Sequence, residues 1–203
     1  MSEEQRREYK RFIQNAWAQA VNHKKGINDI PKNSFTILLD SNGYTHTTNV
    51  ERIKHIYDRH GNFVAEKQQG QIAITEKDFM SIPDIVQTPS FEIRKIKHFS
   101  TYSVLYGKHT EEGHTYIYIE HISKKKRRYL SVTFFKKRKK TFVKDVIKIL
   151  ENNAIYDISE IEIIDQSGGD GHPSSDSEQN ATNAAATSAN PNSSIPLTGG
   201  GVS

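Results

Sequence analysis

Two histidines and three cations, side chains able to handle a proton or a phosphate, fall within one short stretch: Arg52, Lys54, His55, Arg59 and His60. Histidine titrates near neutrality and so can take and give a proton there, whereas arginine keeps its charge in a planar fork that suits a phosphate. On a helix, Arg52, His55 and Arg59 share one side, and Val50, Ile53, Ile56 and Tyr57 share the opposite one. A helical histidine is ordinarily just solvated. Flanked by two arginines in a basic segment, His55 sits where an anion would settle. His60 projects within the apolar face, where the usual use of an imidazole is in the core. It also occupies the last turn, where the helix dipole favours the imidazolium form, and a protonated histidine beside a phosphate can act as a general acid.

A bounded helix must hold these groups. Thr48 followed by Glu51 reads as a capping box, and Gly61 as the left-handed residue that closes the last turn, giving a helix over about Asn49 to His60. Lys108 follows Gly107 at the end of a β-type run and is either a solvated strand end or a cation for a pentacoordinate phosphate. Ser131 and Thr133 alternate on one strand face with Tyr129 and Phe135. Two hydroxyls between rings can bond phosphate oxygens while the rings stack on bases, or they simply decorate a wet face.

Two basic runs flank that strand. Lys124, Lys125, Lys126, Arg127 and Arg128 precede it, and Lys136, Lys137, Arg138, Lys139 and Lys140 follow, emerging about 20–25 Å apart. Together they suit a polyanion bound with little sequence preference and strong salt dependence. The chain of 203 residues has a net charge of +4, unevenly spread: residues 1–140 hold 26 Lys and Arg against 15 Asp and Glu, and residues 141–203 hold 2 against 9. A basic front on an acidic rear points to a nucleic acid or another polyanion as the partner of the front.

Other classes are disfavoured. With no cysteine there are no disulfides, thiolate nucleophiles or Cys-based zinc sites. The nine histidines contain no HExxH pair, so neither a metal nor another cofactor is expected. No apolar run is long enough to span a membrane, and the polar N-terminus lacks the apolar core of a signal peptide. The expected location is cytoplasmic, in the chain's own host or in a target cell, or with a virion.

Around this centre, Glu3 to Asn22 reads as a helix with an apolar stripe of Phe12, Ala16, Trp17 and Ala20, docked through Trp17. Residues 23–33 read as a loop, Phe35 to Leu39 as a strand and Asp40 to Gly43 as a turn. Asn62 to Gln71 reads as a polar surface loop, and two short helical turns follow near Thr75 to Asp78 and Ile82 to Val86. Strands are expected over Glu92–Phe99, Tyr102–Lys108, Thr115–Ile122 and Tyr129–Phe135, then a helix over Thr141–Asn152 and an edge strand within Ile158–Ile164. The fold class is α+β: N-terminal helices packed on one face of a roughly four-stranded antiparallel sheet, with a disordered low-complexity tail. The segments are 1–43 (N-terminal helix and lead-in), 44–140 (central domain), 141–165 (C-terminal helix and acidic segment) and 166–203 (tail).

Lys54-His55-Ile56 through Arg59-His60-Gly61, Ile82-Pro83-Asp84-Ile85-Val86 with Thr88-Pro89, Tyr106-Gly107-Lys108 and Leu130-Ser131-Val132-Thr133 together resemble the phage-associated branch of the Barnase–EndoU–ribonuclease-colicin–RelE-like (BECR) nucleases, over about Tyr44 to Lys140. The resemblance implies a helix packed on a four-stranded antiparallel sheet and metal-independent RNA cleavage. It carries the family's helical histidines onto His55 and His60, its strand cation onto Lys108 and its late hydroxyls onto Ser131 and Thr133. No glutamate matches the general base of barnase, and Glu120 is the nearest on a strand. The resulting expectation is an endoribonuclease of toxin or phage type. His55 would take the 2′-hydroxyl proton, His60 would protonate the leaving oxygen, Arg59 and Lys108 would neutralise the phosphorane, and the product would be a 2′,3′-cyclic phosphate. RNA, tRNA among the candidates, is the expected substrate, and an immunity protein a candidate partner. Two alternatives use the same basic surface without catalysis: a nucleic-acid-binding module of a phage or mobile-element protein, and a structural domain docked on an acidic partner.

Overall fold

In a computed structural model of the chain, residues 1–22, 33–152 and 156–166 are described. The 23–33 loop, apart from Asn33, and the tail beyond Gln166 lie outside them. Helix α1, Glu3–Asn22, buries Tyr9, Ile13, Ala16 and Ala20, a stripe on the expected side that shares Ala16 and Ala20 with the expected one and is centred on Tyr9 and Ile13 as well. Phe12 and Trp17 pack at its margins, and the Trp17 ring meets Tyr57 edge-on at 4.9 Å.

Strand β1, Ser34–Leu39, turns through Asp40 to Gly43, where Asp40 Oδ1 accepts from the N–H groups of Asn42 (2.9 Å) and Tyr44 (2.7 Å). The chain then forms a second strand, β2, Thr45–Asn49, where only lead-in to a helix was expected. Thr48 is therefore a strand residue, its hydroxyl buried without a hydrogen-bond partner, and the capping role passes to Asn49. Asn49 Oδ1 accepts from Arg52 N–H at 2.8 Å and opens α2, Val50–His60, which buries Val50, Ile53 and Ile56. Gly61 ends the helix at φ −89°, not in the left-handed region; a Cβ there would collide with Tyr57, so close approach rather than handedness requires glycine.

The expected polar loop is instead a six-residue helix, α3, Phe63–Gln68, capped by Asn62, whose Oδ1 accepts from the N–H groups of Val64 and Ala65. After the short strand β3, Gln71–Ile72, come α4, Glu76–Met80, and α5, Ile82–Gln87. Four long strands follow: β4, Phe91–His98; β5, Thr101–His109; β6, Thr115–Ser123; β7, Arg128–Lys137. Helix α6, Val143–Glu151, and the short strands β8, Tyr156–Asp157, and β9, Glu162–Asp165, complete the described chain.

The expected antiparallel meander β4 to β7 forms the centre of a larger, mixed sheet of nine strands, in the order β1-β2-β7-β6-β5-β4-β8. Strand β2 pairs with β7 in parallel, β3 adds to β7 farther along, and β9 pairs with β4. Alternation along these strands makes both faces apolar. One face buries Val104, Tyr106, Tyr118 and Phe134 beneath α1, α2, α4 and α5. The other buries Phe91, Ile93, Leu105, Ile117 and Ile119 beneath Val146 and Leu150 of α6, so the helices occupy both faces rather than one. No helix among the described residues is long and apolar enough to cross a membrane.

Candidate active site

The site begins with an interruption in pairing. Strand β2 accompanies β7 only as far as Leu130, and β3 joins it only at Lys136 and Lys137. Between them the outer edge of β7 is met by the end of α2, which delivers His60. The backbone N–H of Ile74 donates to the His60 carbonyl at 2.8 Å and fixes that helix end in place.

His60 Nε2 lies 3.2 Å from Thr133 Oγ1, and its Nδ1 lies 3.3 Å from both carboxylate oxygens of Glu66. The ring leans on Phe135 at 5.6 Å. Glu66 comes from α3, and its side chain is 1% exposed against 17% for His60. A buried carboxylate facing Nδ1 holds the proton on that nitrogen and turns the Nε2 lone pair toward the Thr133 hydroxyl, which can donate to it. Once protonated, the same ring donates from both nitrogens. His60 is thus held in a geometry that can release or accept a proton at Nε2, with Glu66 stabilising the charged form.

Burial pushes the pKa of His60 below its ordinary value. The Glu66 carboxylate opposes this, while Arg59 and Lys137 push in the same direction as burial. His55 is also pushed down, first by burial and then by Arg59 and Arg52. The two imidazoles belong to one electrostatic cluster, since His60 also acts on His55. Burial lowers the pKa of Lys137 too, against the attraction of Glu66. A bound phosphate would offset the cations that hold these histidines neutral, so the cluster is set to gain protons as an anion arrives.

The same face of the sheet continues into residues that the sequence did not single out. Ser103 and His121 are register partners on β5 and β6, with Ser103 Oγ 2.7 Å from His121 Nδ1. The His121 ring stacks on His98 at 5.4 Å and 14°, and Tyr156 lies against His98 at 5.4 Å. Burial lowers the pKa of His121, helped by His98 and Arg52. Burial raises the pKa of the Tyr156 phenol, and Arg59 opposes that rise. The two arginines of α2 thus join the His60 end to the His121 end. Between them a cavity of about 150 Å³ is lined by Thr133 and Lys137 at one side and Tyr156 at the other, over Leu105 and Ile119.

Ser131 and Thr133 do not share a face. Ile119 pairs with Thr133 and Glu120 with Ser131, so Val132 is the extra residue of a β-bulge. The bulge sends Tyr129 and Ser131 to the helix-covered side, where Ser131 Oγ is 2.5 Å from Tyr118 Oη and Tyr129 stacks on His46 at 4.3 Å. Burial and Asp40 push the Tyr129 phenol up to about 12. Lys108 also faces that side, in step with Val104 and Tyr106, and its Nζ donates to the carbonyl and hydroxyl of Thr88 at the end of α5. The structure therefore brings His60, Glu66 and Thr133 into contact with Lys137 beside them, leaves His55, Arg52 and Arg59 acting on that group through their charges, and leaves Lys108, Ser131 and Tyr129 elsewhere.

The basic runs divide similarly. Arg127 donates to the Asn42 carbonyl and lies over Tyr44, bracing the β1–β2 turn. Lys136 pairs with Asp78 at 3.3 Å, and Arg138 Nε donates to the Gln71 carbonyl at 3.0 Å. Lys124 lies over Tyr102, while Lys125 and Lys126 are exposed and Arg128 is partly buried at the start of β7. A larger hollow of about 720 Å³, lined by His46, Tyr106 and Tyr129, lies on the helix-covered side away from His60. Arg94 is paired there with Glu92 at 2.7 Å and Lys95 with Glu162 at 2.6 Å, and Asp40 and Glu160 add further carboxylates, which suits a phosphate less than the His60 side does. Among the described residues, no group of three or more His, Asp or Glu side chains is placed to hold a metal ion.

Imidazole, hydroxyl and guanidinium groups beside a bared strand edge suit the cleavage of a phosphodiester, the work of a nuclease domain. Comparison with protein families agrees: the chain belongs to the phage-Barnase-EndoU-ColicinE5/D-RelE like nuclease3 family, whose model matches residues 25–143. The match includes α2, α3 and β7 and stops at the first residue of α6. No curated protein and no solved structure matches the chain.

Proposed function

We propose that the chain is an endoribonuclease that needs no metal ion and cleaves by histidine acid–base chemistry. The observation that carries this reading is His60, seated between the Glu66 carboxylate and the Thr133 hydroxyl beside the arginines of α2. His55, kept neutral by burial and by Arg59 and Arg52, takes the proton of a ribose 2′-hydroxyl as that oxygen attacks phosphorus. The bond to the 5′-oxygen breaks, and His60, which takes a proton from solvent as the phosphate binds and is then an imidazolium braced by Glu66, delivers the Nε2 proton that oxygen needs. The products are a 2′,3′-cyclic phosphate and a free 5′-hydroxyl. Arg59 and Lys137 face the charge that builds up on the phosphorane, and Thr133 orients one of its oxygens. Lys137 takes over the part that sequence pattern gives to Lys108.

The direct test is incubation of the chain with mixed-sequence RNA in excess EDTA. Cleavage is expected to persist and to leave cyclic phosphate ends. Activity that disappears with the chelator, or tight salt-sensitive binding with no cleavage, overturns the reading; the second result favours a non-catalytic binding module.

The pH dependence has a definite sign. A base with a pKa below the ordinary histidine value of about 6.5 stays deprotonated further into acid, so the acid limb of kcat/KM should fall below that value. Arg59→Ala removes a charge that holds His55 and His60 down. Its acid limb should move upward toward about 6.5, with a matching rise in the His55 titration followed by NMR. An unmoved limb would separate the arginine from the acid–base step.

A further inference from the structure

The turn between β4 and β5 carries a residue that neither packing nor turn chemistry explains. Phe99 is 76% exposed and has φ +52°, in the left-handed region that bulky side chains seldom adopt. A glycine or asparagine would suit that backbone, and a polar residue would suit that exposure. Phe99 instead meets His98 edge-on at 4.7 Å, and His98 touches both His121 and Tyr156 at 5.4 Å. Four rings from β4, its turn, β6 and β8 therefore form one aromatic cluster. His121 is held by Ser103, which is fully buried, so the inner part of the cluster is rigid while Phe99 stands at its rim.

Its position is as informative as its composition. Arg52 acts on His121 and on His55, and Arg59 acts on Tyr156, His55 and His60. The geometry agrees: the cavity of about 150 Å³ that is lined by Thr133, the hydroxyl at His60, and by Lys137 is also lined by Tyr156, so the cluster adjoins the His60 site. Rings beside cations are what a nucleic-acid strand meets when its bases are unstacked, since every base has a face to stack and every link a charge. In a duplex the base faces are covered by their neighbours, and such rings would find nothing to stack on.

We infer that His98, Phe99, His121 and Tyr156 form a stacking subsite for an unpaired nucleobase next to the phosphate held at His60, so that the substrate strand enters single-stranded. This rests on the nuclease reading for the identity of the strand, although the binding it describes is measured separately from cleavage. Tyr156 lies outside the segment matched by the family model, so part of the subsite is contributed by the extension that follows the nuclease domain.

The test uses the full chain carrying His60→Ala, which slows turnover by about 10²–10⁴-fold, and fluorescence anisotropy of a labelled single-stranded oligoribonucleotide and of a duplex of the same sequence. Phe99→Gly should weaken single-strand binding about tenfold, the low end of what one stacked base contributes. The melting temperature should hold or rise, because glycine accepts the left-handed backbone. Tyr156→Leu should weaken the same probe while leaving the duplex unaffected. Single-strand binding that survives both substitutions, or an equal loss for the two probes, overturns the subsite. A chain that binds single strands through Phe99 but, with His60 intact, leaves RNA uncut would refute the nuclease reading and keep the subsite.

Discussion

His60→Ala is expected to slow RNA cleavage by about 10²–10⁴-fold, the usual contribution of a positioned acid–base group. The ring bridges the buried Glu66 carboxylate and the Thr133 hydroxyl, so its removal takes away the proton carrier that faces Thr133. Removing it also leaves a carboxylate that is 1% exposed without its imidazole, so some loss of stability accompanies the loss of rate. His60→Gln separates the two effects. An amide keeps a donor for Glu66 but cannot shuttle a proton, so its melting temperature should return toward the parent while its rate stays low. Single-turnover cleavage and thermal melting of both variants check this. Full activity in the glutamine variant would remove His60 from the chemistry.

Glu120→Ala is expected to lower the unfolding free energy by about 1–3 kcal/mol for each buried polar partner that loses its hydrogen bond. Glu120 is fully buried. It accepts from His46 Nδ1 at 2.6 Å and from the Tyr118 hydroxyl at 3.0 Å, and Tyr118 in turn meets Ser131. This chain of polar groups crosses β2, β6 and β7 beneath the helices and ties the parallel β2–β7 pair to the meander. Truncation strips His46 of this partner and leaves Tyr118 only Ser131, whereas Glu120→Gln keeps one acceptor oxygen and the packed shape, and should cost less. Urea denaturation measures the difference. Its location on the helix-covered side argues that Glu120 holds the sheet together rather than serving as a general base. A stable alanine variant that has lost cleavage would reverse that assignment.

Ser131 and Thr133 show how such placements escape a linear reading. Strict alternation puts them on one face, and a single bulged residue, Val132, puts them on two. Thr133 then reaches His60, and Ser131 joins the buried network. The 62–71 segment escaped for a different reason. Its helix is six residues long and has Phe63 and Val64 exposed, so it has no apolar stripe to betray it, and only Asn62 marks its start. Glu66 is invisible as a site residue for that reason. His121 had no visible partner because Ser103 lies 18 residues earlier in the chain, on the neighbouring strand.

What the sequence by itself determined was local: the whole of α1, the buried side of α2, the four central strands, and the concentration of His55, His60 and the arginines on one helix. These depend on periodicity and on turn residues a few positions apart, which are written in order along the chain. Family membership was legible for the same reason, since its motifs are short and contiguous. Tertiary structure alone decided which of those groups meet. His60 and Thr133 are 73 positions apart, and they touch because β2 and β3 leave the middle of β7 unpaired and α2 ends there. Helical projection sends His60 toward the core; the core at that point is the bared edge of a strand, so the histidine that looked structural stands at the centre of the site.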